Sequence, residues 1–144
     1  MLKDLIAAGF GLAEDYNCAE KIFHGANQAY DLQLDKKYAH LLASYGGGMA
    51  IEHLCGAVAS SVAILGHLFI KDHAHESEYI KELTTEFTQR YEKEMGSILC
   101  KPLKEAYRTE EKLCLDVILK AAQILDDMVK REEKNITKPY KFQD

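Results

Sequence analysis

Apolar residues recur at steps of three and four along almost the whole chain, and no stretch alternates as a surface strand would. The pattern predicts an all-α protein, a single-domain helical bundle of about five to six helices around a buried central helix. A first helix is predicted over residues 2–14, a second from the N-cap Asn17 to residue 30, and a shorter third over 36–44. Gly46, Gly47 and Gly48 then break the periodicity, because three glycines lose too much backbone entropy to sit inside a helix. Here a loop brings the backbone close to something else. The central helix follows over 52–70, with no charged residue between Leu54 and Phe69. Residues 71–76 form a polar turn, and 77–94 an amphipathic helix that covers the core and ends at Gly96. A short turn or helix over 97–103 holds Cys100, and a last helix capped by Thr109 runs to residue 134. The domain is thus residues 1–134, with an extended C-terminal tail over 135–144 that contains Pro139.

Three of the four cysteines lie on these apolar stripes. Cys114, Ile118, Ala121, Leu125 and Met128 share one face of the last helix, and Cys55, Val58, Val62, Leu65 and Phe69 one face of the central helix. Cys18, Ile22, Ala26 and Ala29 make the stripe of the second. Helix starts present unpaired N–H groups and a positive dipole end, which favour thiolate over thiol. A lowered thiol pKa is therefore expected at Cys18 and Cys55. Free cysteine also packs as a small hydrophobe, so periodicity leaves open whether the four sulfurs meet.

Composition narrows the functional classes. A chain of 144 residues, 47% hydrophobic, supports a core without disulfide staples, and its four cysteines fall short of a stapled secreted domain. A cytoplasmic location is expected. The apolar residues 5–13 are flanked by Asp4, Glu14 and Asp15 and read as a helix rather than an export signal. A net charge of −5 argues against a nucleic-acid partner. The apolar run 57–70 is shorter than the ~20 residues of a membrane span. No CxxC pair suggests a zinc finger or a clustered ferredoxin site, and the absence of CxxCH excludes c-type haem attachment. His73 and His75 could hold a surface metal, although a polar turn is the simpler reading. His53, two residues before Cys55, is a secondary candidate as base or ligand.

The local frames of the cysteines form a pattern. Cys18 follows Asn17 and precedes Ala19, the glycine run leads to Cys55-Gly56-Ala57, Gly96-Ser97-Ile98-Leu99 leads to Cys100, and Cys114 opens a helix containing Ala121 and Ala122. This order resembles the C_GCAxxG_C_C family of redox-active four-cysteine proteins, from Cys18 to about residue 125. Ser60 stands where the family's CGAxxG motif closes on glycine. The family is also similar to a domain of split-Soret cytochromes, in which an iron–sulfur centre accompanies haem. The resemblance implies a redox site at Cys18, Cys55, Cys100 and Cys114, with Gly46, Gly47, Gly48 and Gly56 supplying backbone beside it.

Three functions remain in play. In the first, the four thiolates hold a 2Fe-2S cluster, or zinc as the alternative metal, for electron transfer to an unidentified redox partner or for redox sensing. In the second, two of the cysteines form a thiol–disulfide pair, which requires Cα atoms within about 7 Å. The third is a helical interaction module, a homodimer being one form, with structural cysteines.

Overall fold

A computed structural model describes residues 1–141, and among them seven α-helices form and no strand does. The first helix, α1 (Leu2–Ala7), buries Leu2 and Ile6 and is half the predicted length. Gly9 at φ 103° and Gly11 at φ 83° carry the chain into left-handed backbone, which ends right-handed helix there. The start of α1 has no cap of its own. Instead the buried Asp126 carboxylate accepts from the N–H of Leu2 at 3.0 Å and Lys3 at 2.9 Å, and from the Tyr30 hydroxyl at 2.6 Å.

The second helix, α2 (Cys18–Ala29), begins at Asn17 as predicted. Asn17 accepts from Glu20 N–H at 3.0 Å, and the Glu20 carboxylate accepts from Asn17 N–H at 3.1 Å. The predicted third helix is a tight turn over Lys36–Ala39 that continues into α3 (His40–Ala43). α4 (Gly56–Phe69) is the central helix, packed against α2, α3, α5 and α7, with buried residues around most of its circumference. It starts four residues later than predicted. Residues Gly47, Gly48, Met49, Ala50 and Glu52 all have φ between 58° and 66°, and Leu54 then pairs with Leu99 in an antiparallel bridge.

α5 (Tyr79–Met95) buries Leu83, Phe87, Tyr91 and Met95 at steps of four and stops at Gly96, which has φ 90°. The short α6 (Cys100–Tyr107) follows, with Pro102 in its first turn, where a missing N–H costs little. The last helix, α7 (Leu115–Arg131), begins well after Thr109 and ends before residue 134. Thr109 and Leu113 exchange backbone hydrogen bonds in a tight loop, and Leu113 at φ 53° blocks a continuous helix. Beyond α7, Thr137 N–H donates to Leu68 C=O at 2.8 Å and Lys141 N–H to Tyr30 C=O at 2.6 Å. The rest of the predicted tail, residues 142–144, lies outside the described residues. No helix among them is long and apolar enough to cross a membrane.

Candidate functional site

Four separate segments deliver the cysteines to one end of the bundle. The segment before α4 meets the one before α6 through backbone: Cys55 N–H donates to Ile98 C=O at 2.9 Å, and Cys100 N–H to His53 C=O. This pairing sets Cys55 at the start of α4 beside Cys100 at the start of α6. The amide of Asn17 donates to Ala43 C=O at 2.9 Å, which fastens the start of α2 and Cys18 to the end of α3. Cys114 caps α7 at the end of the Thr109 to Leu113 loop. All four are free thiols. Together they line a cavity of about 100 Å³, completed by Gly47, Gly56, Leu103, Lys104, Arg108 and Val117.

The glycines have separate duties. Any side chain at Gly46 would overlap that of Asn17, so its absence makes room for the α2 cap. A Cβ at Gly56 would stand 2.7 Å from Cys18 Sγ and 2.9 Å from Tyr45 O, and one at Gly48 would press on Cys100 Cβ. Gly47 lines the cavity itself at φ 66°, a left-handed conformation that favours glycine. His53 contributes its backbone to the pairing, but its side chain is exposed and does not line the cavity. His73 and His75 are exposed in a polar turn, whose backbone N–H groups at Lys71, Asp72 and His73 are taken up by the Glu76 carboxylate.

The expectation of lowered thiol pKa at the helix starts is overturned. Burial pushes Cys18 up, outweighing the N–H groups of Gly47, Ala19 and Gly56 that act on its sulfur in the opposite sense. Cys55 is pushed up to about 12, again by burial first, against the N–H groups of Val58 and Ala57 at the start of α4. Cys100 is also raised by burial, opposed by the Lys104 ammonium. Partial charges at a helix start are worth up to ~2 kcal/mol, less than taking a full thiolate charge out of water. Cys114 differs in its contact: Arg108 Nη1 donates to its Sγ at 3.2 Å.

Lys104 and Arg108 were missed by reading the cysteines alone. The signal was available, since they lie four and eight residues after Cys100, on its face of α6 and just beyond it. Ser60, at the motif's glycine position, does not line the cavity. It is fully buried in α4, and its Oγ has no hydrogen-bond partner. Neighbouring Ser61 instead donates to Ala57 C=O at 2.7 Å.

An all-α bundle with four unpaired cysteines gathered at one cavity defines a four-cysteine thiol protein. Residues 16–128 match the family model described as "Putative redox-active protein (C_GCAxxG_C_C)". The chain belongs to that family. No curated protein and no solved structure matches it.

Proposed function

We propose that Cys18, Cys55, Cys100 and Cys114 hold an iron–sulfur cluster of the two-iron type, and that the protein carries electrons or senses redox state. The observation that carries this reading is the convergence of four thiols from four segments on one small cavity. Among the described residues no three His, Cys, Asp or Glu side chains stand close enough to hold one metal ion as they are placed. A single zinc, with Zn–S distances of about 2.3 Å, would require the sulfurs to close over the space they now surround. Four soft donors around an open volume suit a larger, sulfide-bridged occupant with terminal thiolates better.

Such a cluster supplies one-electron transfer. The chain's own groups would hold it and tune it. The four sulfurs ligate as thiolates and release their protons on binding. The N–H groups of Gly47, Ala19 and Gly56 that act on Cys18, and those of Ala57 and Val58 that act on Cys55, remain to stabilise sulfur-borne negative charge. Leu103 and Val117 keep water from the inner side, and Lys104 and Arg108 offset charge on the outer side. Anaerobic purification followed by iron, sulfide and visible-absorption analysis tests the reading. About two irons and two sulfides per chain are expected. Serine at any one of the four cysteines should lower that content, and a colourless, metal-free protein would overturn the proposal.

A thiol–disulfide function is the second reading, favoured by the contact of Arg108 with Cys114 Sγ, which sets one sulfur apart from the other three. Thiol counting across a series of buffered potentials should then reveal a two-electron step.

A further inference from the structure

The chain has three arginines. Two make carboxylate pairs: Arg90 with Glu94 at 2.9 Å and Asp127 at 2.8 Å, Arg131 with Glu86 at 2.6 Å and Glu132 at 3.1 Å. Among the described residues Arg108 makes no ion pair, and its guanidinium is directed at Cys114 Sγ. Lys104, the other cation on the cavity wall, has its charge answered by Glu52 at 3.4 Å. Arg108 is therefore the cation on the cavity wall that engages a sulfur rather than a carboxylate.

Backbone geometry holds it there. Arg108 caps the end of α6, and Cys114 caps the start of α7. Between them Thr109 and Leu113 are bridged in both directions, at 2.7 and 3.3 Å, with Leu113 in left-handed backbone. A bulky residue at φ 53° is uncommon and is kept only where its surroundings demand it. The loop turns the chain back so that a residue and its sixth successor face each other across the cavity rim.

We propose that Arg108 is a positioning residue of the four-cysteine site, holding the Cys114 side chain toward the cavity and supplying the positive charge that reduction of the site requires. The inference rests on the four-cysteine centre proposed above. An exposed ion pair in water is commonly worth under about 1 kcal/mol. A guanidinium bonded directly to the sulfur acts on charge at the site itself, as a charge-assisted hydrogen bond rather than a distant ion pair. With a cluster bound, one electron from dithionite would be taken up by its iron and would add one negative charge to the space the four sulfurs enclose, with no bond to the chain formed or broken. The guanidinium favours that reduced state over the oxidised one.

Two variants, Arg108→Gln and Arg108→Lys, test the proposal on the full chain. The side chain is exposed, so both should fold with unchanged circular dichroism. If the protein is isolated with iron, spectroelectrochemical titration should give a lower reduction potential for Arg108→Gln, by roughly tenfold in the equilibrium constant, or about 59 mV for a one-electron couple. Arg108→Lys should recover most of that shift. If the protein is isolated without metal, the probe is iodoacetamide at pH 7: sulfur displaces iodide, the thiol proton passes to buffer, and peptide mass spectrometry reads each cysteine separately. The Cys114 rate should change roughly tenfold in Arg108→Gln, because the side chain that contacts its sulfur is gone, with Cys18, Cys55 and Cys100 unchanged. A potential unmoved in the iron-loaded protein, or a Cys114 rate unmoved in the metal-free one, overturns the role of Arg108. Absence of iron alone overturns only the cluster reading.

Discussion

At Gly56 the absence of a side chain has a direct chemical consequence, because the space a methyl would take is filled by the sulfur of Cys18 and the carbonyl of Tyr45. Gly56→Ala should destabilise the protein by about 1–3 kcal/mol, as overpacking of a tight core does, and displace the Cys18 side chain from the cavity. Urea unfolding would measure the first effect and the iron content the second; a native urea midpoint would show that the helices part easily. This glycine and its cysteine neighbour were legible in the motif, but the identity of what it touches was not. Cys18 lies far from Gly56 in sequence, and a helix stripe reports which face is buried without saying against what. The thiol pKa directions failed for a related reason: position at a helix start is visible in the sequence, whereas the burial that outweighs it depends on every other segment.

At the scale of elements, the helices themselves were readable and their ends were less so. Asn17 with Glu20, and Gly96, are side-chain or glycine signals, and the helices they bound start or stop as the sequence suggests. The end of α1 is misplaced at Gly9 and Gly11, a glycine signal the periodicity overrode, whereas the starts of α4 and α7 are misplaced where Met49, Ala50 and Glu52, and Leu113, take left-handed backbone. Met49, Ala50, Glu52 and Leu113 are of types that carry no local preference for such backbone, so only tertiary contacts could place these two starts. The turn before α5 offers a clean test of one local signal. Glu76 accepts from the N–H of Lys71, Asp72 and His73 at 3.0, 2.6 and 2.9 Å, which holds its carboxyl down at about 2 against an ordinary 4.5. A depressed folded-state pKa means the turn's contribution is complete above pH 4.5 and lost as pH falls toward 2. The amide resonances of Asp72 and His73 should therefore titrate with a midpoint near 2. A midpoint close to 4.5 would mean that the carboxylate is free in solution.

Over the whole molecule, polar contacts between distant parts of the chain complete what helix packing begins. Asp126 on α7 receives donors from both residues that open α1 and from Tyr30 at the end of α2, and so pins three elements with one carboxylate. Burial raises its pKa despite these donors. Asp126→Ala leaves two buried or half-buried N–H groups without their acceptor and should cost roughly 2–4 kcal/mol, read as a lower urea midpoint with unchanged slope. A loss under about 0.5 kcal/mol would show that water replaces the carboxylate without penalty. The all-α class and the central helix followed from periodicity alone. The meeting of the cysteines did not, because the backbone pairing of 53–55 with 98–100 and the loop from Thr109 to Leu113 are formed by residues with no strand-like alternation. That dispersed origin of the cavity bears on biosynthesis. A chain emerging from the ribosome exposes Cys18 first and Cys114 last, with α4 and α5 made in between. No nascent piece that stops short of Cys114 can bring all four sulfurs around the space, so the cavity closes only once α6 and the loop after it have left the ribosome, long after the helix that carries Cys18.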